Sequence, residues 1–414
     1  MRIAQIAPLF ESVPPRLYGG TERIVSYLTE ELVRQGHEVT LFASGDSRTA
    51  AGLVSCCRTA LRLDPGVRDP LPYQIILLEE VRRRARSFDL LHFHTDLLHF
   101  PLVRALGRPS LTTLHGRLDL PDLIPLYRAF PDMPLVSISD DQRRPMPPVR
   151  WAGTVHHGLP RDLLPFNSQP RGGYLAFLGR ISPEKRPDRA IEIAARAGLP
   201  LRIAAKIDKV DEAYWREVVE PLVKAYPAAE FIGEITEAEK ASFLGEAAAL
   251  LFPIDWPEPF GLVMIEAMAC GTPVVAFRRG SVPEVIEPGV SGFIVDTVEE
   301  AVEAVGRIGS LSRAAVRAAF ERRFTVERMA RDYLAIYHRL VEAERQAAAG
   351  TARRRPAAQG PAALPGAQPA GIAERLPRLT VHRPRPEGAR AKPVDDITVA
   401  LPARTEGSGR PQAN

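Results

Sequence analysis

Residues 1–43 read MRIAQIAPLFESVPPRLYGGTERIVSYLTEELVRQGHEVTLFA and contain one complete strand, loop, helix and strand. Arg2–Pro8 is a short apolar run with the pattern of a buried strand. Ile24, Val25, Leu28, Leu32 and Val33 share one stripe of a helix expected over Glu22–Gln35, and Gly36 is placed to end it. Glu38–Ala43 is the next strand. A helix between two such strands is the repeating unit of a parallel, doubly wound α/β sheet.

The alternation continues on both sides of one interruption. Strands are expected at Leu90–His94, Ser110–His115, Pro134–Ser139 and Gly153–His157. The pattern lapses over Leu159–Gly173, LPRDLLPFNSQPRGG, whose Pro and Gly content marks a linker. A second series follows at Tyr174–Gly179, Leu201–Ile207, Glu230–Gly233, Leu250–Ile254, Pro273–Phe277 and Gly292–Val295. Thr325–Ala343 carries Met329, Tyr333, Ile336, Tyr337 and Leu340 at helical spacing. The expected organisation is a Rossmann-like domain over 1–165, a second over 166–324, a helix over 325–345 that returns to the first domain, and a disordered tail over 346–414. Two such domains in series place a ligand in the cleft at the carboxyl ends of their strands.

Bulk properties narrow the class. A pI near 9 invites a nucleic-acid reading. The tail from 346 onward, however, holds 11 Lys and Arg against 5 Asp and Glu, more than the whole net charge of +4, so the body is close to neutral. That tail also has 10 prolines and no hydrophobic period, the composition of a disordered segment. Cys56, Cys57 and Cys270 make an odd set without metal-ligand spacing, which fits a reducing cytoplasm. The first ten residues lack the features of a secretory signal, and no apolar run is long enough to span a bilayer. Arg82, Arg83, Arg84 and Arg86 could touch an anionic membrane surface, but Glu79 and Glu80 precede them and favour a solvated, self-paired helix face.

The chemistry concentrates in Glu258–Phe277, EPFGLVMIEAMACGTPVVAF. Glu258 lies between Pro257 and Pro259, which present it on a stiff non-helical loop. Gly261 opens a helix that carries Glu266, and the free N–H groups of its first turn suit a phosphate or a sugar hydroxyl. Eight residues of mostly helical rise separate the two carboxylate-bearing backbones by about 12 Å, too far for a hydrolytic acid–base pair. In LGRISPEKRPDRAIEIA, Arg180 and Lys185 follow a strand and can grip a diphosphate, or else be paired with Glu184 or Asp188. The LYGGTE loop, Leu17–Glu22, offers Gly19 and Gly20 for close backbone approach and Thr21 as a helix cap, and it matches neither the dinucleotide fingerprint nor the P-loop. His115 ends a strand where it can meet a sugar hydroxyl, while His92 and His94 share a strand face on which a metal is conceivable. No D-x-D triplet of the metal–diphosphate kind occurs.

Together, the Glu258–Glu266 segment, LGRISPEKRPDRAI, GTPVVAF and GSVPEVI resemble glycosyltransferase family 4, the retaining enzymes of the GT-B fold, over roughly residues 1–345. The resemblance implies two Rossmann-like domains facing a cleft and a nucleotide-diphosphate sugar donor held mainly by the second. By position, Arg180 and Lys185 would hold the diphosphate, Glu266 the ribose and Glu258 the donor sugar. Phe260, Gly261 and Leu262 would offer backbone N–H groups, Gly20 with Gly19 would lie beside the phosphate or sugar, and His115 would contact the transferred sugar. Ile232, Gly233 and Ile235 would border the base. No metal or other cofactor is implied, and the family is not known to use a protein nucleophile. The acceptor, a glycan, lipid or small molecule, stays open, as do the readings of a non-hydrolysing nucleotide-sugar epimerase and of a catalytically silent scaffold. His156, His157, Gly158 and Leu159 stand where many relatives have Asn-Gly-Ile-Asp, a departure from the family pattern.

Overall fold

The computed structural model describes residues 1–16 and 19–354 of the 414-residue chain. Two wholly parallel sheets form one compact unit. The first comprises β1 (Arg2–Ile6), β2 (Glu38–Ser44), β3 (Gly52–Cys57), β4 (Leu90–Phe93), β5 (Ser110–Thr113), β6 (Leu135–Ser137) and β7 (Trp151–Thr154), in the order 3-2-1-4-5-6-7. The second comprises β8 (Leu175–Arg180), β9 (Leu201–Lys206), β10 (Ala229–Gly233), β11 (Ala249–Phe252), β12 (Val274–Phe277) and β13 (Gly292–Val295), in the order 10-9-8-11-12-13. In each, strand order reverses beside the first strand, between β1 and β4 and between β8 and β11, which is where open α/β sheets leave a crevice for ligands.

Strand residues that alternate along the chain go to opposite faces, so each sheet has two cores. Tyr174, Ala176, Leu250 and Phe252 pack with Met264, Met268 and Phe320 on one side of the second sheet. Leu175, Phe177 and Leu251 pack with Ile191 and Val305 on the other. The helix Gly20–Arg34 buries Ile24, Leu28 and Leu32 against Met329, Tyr333, Ile336 and Tyr337 of the helix Val326–Arg354, over the strand residues Ile3, Val39, Leu90 and Leu111. The last helix, which begins after the second sheet, is thus a structural part of the first.

Several expectations need correction. β3 was not anticipated: it is an edge strand whose residues are mostly solvent-facing until Cys56 and Cys57, so it lacks an apolar run. Those two cysteines and Cys270 are free and buried. β7 ends at Thr154, three residues earlier than expected; Val155 N still donates to Ser137 O at 2.9 Å, and His156 and His157 leave the ladder. Thr21 does not cap the first helix, because the helix begins one residue before it, at Gly20, with Gly19 in the cap position and no side-chain cap bond. The last helix runs to Arg354, nine residues into the stretch expected as tail, and the rest of that expectation lies outside the described residues, as do Leu17 and Tyr18. On the helix Leu71–Arg84, Arg82 pairs with Glu79 at 2.6 Å and Arg83 and Arg84 pair with Glu80, the self-paired face rather than an open basic patch.

Candidate active site

A cavity of about 890 Å³ opens at the carboxyl ends of both sheets. That volume is within the range of sites for small molecules and cofactors. Gly19, Gly20 and His115 reach it from the first sheet's side, and Arg180, Lys185, Glu258 and Glu266 from the second's. Phe260, Gly261, Leu262 and Ile235 line it too, whereas Ile232 and Gly233 do not. Ile232 instead stands partly exposed on the edge strand β10. The glycine turns of the two halves meet here: a Cβ on Gly20 would lie 3.5 Å from Leu262 Cδ1.

Glu258 is 8% exposed and is not a free loop charge. Its Oε2 accepts hydrogen bonds from Lys185 Nζ and, at 3.0 Å, from Trp256 Nε1. Lys185 Nζ also lies 4.9 Å from the centre of the Trp256 ring. The loop is fixed from behind, since Ser281 N donates to Glu258 O at 3.0 Å and Ser281 Oγ to Phe260 O at 2.8 Å. Gly261, in the left-handed region at φ 77°, turns the chain into the helix Leu262–Ala269, whose first N–H groups have no partner within the helix. Glu266, 2% exposed, accepts from Lys240 Nζ at 2.7 Å through Oε1, while its buried Oε2 has no partner.

Arg180 sits among three carboxylates, with Glu184, Asp208 and Asp211 at 3.3, 3.8 and 3.6 Å. The pairing with Glu184 that the sequence left open is therefore present, whereas Asp188 goes to Arg186 at 2.9 Å. Both cations of the pair line the same cavity. In the other wall, His115 Nε2 lies 2.9 Å from His94 Nδ1, and burial pulls the His115 pKa down to about 3, so the ring is neutral at pH 7. The His157 ring stacks on it with centres 5.4 Å apart and meets Phe260 edge-on at 4.9 Å.

His92 and His94 are not a metal pair. His92 bonds Tyr337 Oη at 2.7 Å and Thr113 Oγ1 at 2.8 Å, and His94 bonds His115 and Gln5 Oε1, so all four ring nitrogens are engaged. Among the described residues, no group of three or more His, Cys, Asp or Glu side chains is placed to hold a metal ion. No helix among them is long and apolar enough to cross a membrane.

Sequence reasoning missed Trp256, Lys240, His157 as a site residue, and Gly280. Trp256 is adjacent to the motif and could have been drawn in with it. Lys240 lies in a plain helical stretch and meets Glu266 only through the fold.

The sequence matches two family models, one described as glycosyltransferase family 4 over residues 18–152 and one as glycosyl transferases group 1 over residues 165–320. The chain belongs to glycosyltransferase family 4. It is 25% identical over 390 residues to a D-inositol 3-phosphate glycosyltransferase of Saccharomonospora viridis, covering 73% of this chain and 84% of that protein. It is 26% identical over 351 residues to a phosphatidyl-myo-inositol mannosyltransferase of Mycolicibacterium smegmatis, covering 77% and 87%. Among solved structures, that of the Anabaena protein HepE in complex with UDP-glucose aligns with a TM-score of 0.59 at 18% identity, over 83% of this chain and 99% of that one. The two facing sheets are thus the GT-B fold of a glycosyltransferase.

Proposed function

We propose that this glycosyltransferase moves a sugar from a nucleotide-diphosphate donor to a hydroxyl-bearing acceptor with retention of configuration and without a metal. The observation that carries the reading is the convergence of Arg180, Lys185, Glu258, Glu266 and the Gly261 helix start on one cavity from separate segments of the second half. The bare, buried Oε2 of Glu266 is an acceptor waiting for donors, and two adjacent ribose hydroxyls supply them. Arg180 and Lys185 would grip the diphosphate and stabilise the charge it gains on leaving, the part a metal plays elsewhere. Glu258 and His115 would hold the sugar's hydroxyls.

In the transfer, the bond from the anomeric carbon to the diphosphate oxygen breaks and the acceptor oxygen bonds the same face. The acceptor's proton passes to the departing phosphate. The nucleotide sugar named with HepE makes UDP-glucose the first donor to try. The two inositol-directed relatives make a polyol the first acceptor to try.

The test is calorimetric titration with UDP-, GDP- and ADP-sugars, followed by product analysis with a polyol panel. Binding of at least one donor and transfer with retained anomeric configuration are expected. No binding to any donor refutes the reading. Interconversion of the donor without an acceptor would make the protein an epimerase instead.

A further inference from the structure

Behind His115 runs a continuous line of buried polar side chains. Tyr337 Oη, on the last helix, lies 3.2 Å from Gln5 Nε2 on β1. Gln5 Oε1 lies 2.8 Å from His94 Nε2, just past β4, and His94 Nδ1 lies 2.9 Å from His115 Nε2, just past β5. Gln5 is wholly buried and His94 is 2% exposed, so water does not compete for these contacts. At the end of the line, His115 Nδ1 is buried and meets no partner, while the ring lines the cavity.

The line has two self-consistent proton orders. In one, the Gln5 amide donates to Tyr337 and its oxygen accepts from His94 Nε2–H. His94 Nδ1 is then bare and must accept from His115 Nε2–H, so that His115 Nδ1 is a bare lone pair. In the other, every bond is reversed and His115 Nδ1 carries a hydrogen with nowhere to go. A buried N–H without an acceptor is the costlier and rarer defect, which selects the first order. Burial keeps both imidazoles neutral, as either order requires.

We propose that Gln5 and His94 are positioning residues for the transfer reaction: they fix His115 as the neutral Nε2–H tautomer, leaving Nδ1 free to accept a hydrogen bond from a hydroxyl of the bound sugar. The inference rests on the donor reading above, but its first part concerns the free protein. A histidine that can only accept at this position favours a sugar whose hydroxyl there can donate, and it excludes the anionic oxygen of a uronic acid. The same line ties the cavity to Tyr337, so the last helix sets the chemistry of a ring far from it in sequence.

The experiment is long-range nitrogen–proton correlation NMR on the full chain labelled with ¹⁵N-histidine, at pH 7, with the His115 signals assigned through His115→Asn. Protonated Nε2 and bare Nδ1 on His115 are expected in the wild type. A charged ring, or a proton on Nδ1, overturns the proposal without any variant having to fold. Gln5→Met removes the acceptor and is expected to turn His94 and His115 into tautomer mixtures and to lower turnover. Gln5→Glu keeps the acceptor and is expected to restore the single tautomer. An unchanged tautomer in Gln5→Met overturns the role of Gln5. Adding UDP-glucose should shift His115 Nδ1 while UDP alone does not; equal shifts with both overturn the sugar contact. Calorimetry with UDP-, GDP- and ADP-sugars separates the readings. No binding of any of them, with the tautomer as stated, defeats the donor reading alone; binding of UDP-glucose with His115 in the other tautomer defeats this proposal alone.

Discussion

Lys185 Nζ donates a hydrogen bond to Glu258 Oε2 across 73 residues of sequence, so the two charges proposed for the diphosphate and the sugar neutralise each other in the unliganded protein. A diphosphate must therefore share Lys185 with a carboxylate. Replacing Glu258 by Gln removes that competitor and one negative charge from the cavity. Glu258→Gln is expected to bind free UDP about three- to ten-fold more tightly, on the order of 1 kcal/mol, while transfer is lost. Lys185→Met is expected to do the opposite and weaken UDP by about ten-fold or more. Titration calorimetry reads both, and weaker UDP binding by Glu258→Gln would count against the shared-lysine account.

Glu266 makes a prediction of a different kind, because only one of its oxygens is satisfied within the protein. If ribose hydroxyls complete it, UDP should bind about ten- to a hundred-fold more tightly than 2′,3′-dideoxy-UDP, the worth of one or two hydrogen bonds to a charged group. Glu266→Leu should erase that preference. It also removes one of the two carboxylate partners of the half-buried Lys240, which keeps Glu237 at 3.4 Å, so the expected cost is about 1–2 kcal/mol of stability. Adding Lys240→Met should recover most of the stability and none of the ribose preference. A thermal melt and a pair of binding curves check the two halves, and a preference that survives in the double variant refutes the ribose role.

Much of this was legible in the sequence, and the reasons differ by residue. The strands that read correctly, such as β11 and β12, are buried on both faces and so are short unbroken apolar runs. β3 failed that test because an edge strand need not be apolar. Glu258 and Glu266 stood out because Pro257, Pro259 and Gly261 punctuate the chain around them. Lys240, by contrast, is joined to Glu266 only by the packing of the helix Glu237–Gly245 beside the helix Leu262–Ala269, and no local pattern encodes that. His92 and His94 misled for the same reason: their spacing is that of ligands, while their partners Gln5, Thr113 and Tyr337 come from three other elements.

Gly280 packs against the backbone that presents Glu258. Its φ is 53°, and a Cβ there would lie 2.3 Å from Glu258 O and 2.4 Å from Glu258 N. Gly280→Ala must therefore displace the backbone that presents the carboxylate, besides the roughly 1–2 kcal/mol cost of a left-handed alanine. A large drop in turnover is expected with only a modest drop in melting temperature. Gly289→Ala is the control, since its φ of 77° carries the same conformational cost while nothing lies within 4 Å of the added carbon. Its turnover should be unchanged. Equal effects of the two substitutions on turnover would show that Gly280 acts only through general stability.

Acid sensitivity follows from the buried histidines. Burial holds His99 and His115 at about 3 and keeps His92, His94 and His157 well below the ordinary value. In the unfolded chain each returns to about 6.5. Below that pH the unfolded chain binds protons that the folded protein refuses, so this stability is complete above about pH 6.5 and is lost as the pH falls towards the folded values. Each fully buried ring contributes a slope of about 1.4 kcal/mol per pH unit in that window. Glu11, Glu22, Asp96 and Asp211, raised by burial, act in the opposite sense, but they are four groups against six once His37, also lowered, is counted. Carboxylates whose values are lowered, such as Asp188 and Glu284, lose their contribution only below about 4.5, leaving the range from pH 5 to 6.5 to the histidines. His99 lies outside the cavity, bonded to Thr112 Oγ1 at 2.7 Å and Thr95 O at 3.1 Å. Denaturant midpoints measured from pH 7.5 to 5 should fall steeply below 6.5, and His99→Asn should flatten the slope by about 1.4 kcal/mol per pH unit. A stability that stays level down to pH 5 would mean that these rings take up their protons inside the fold.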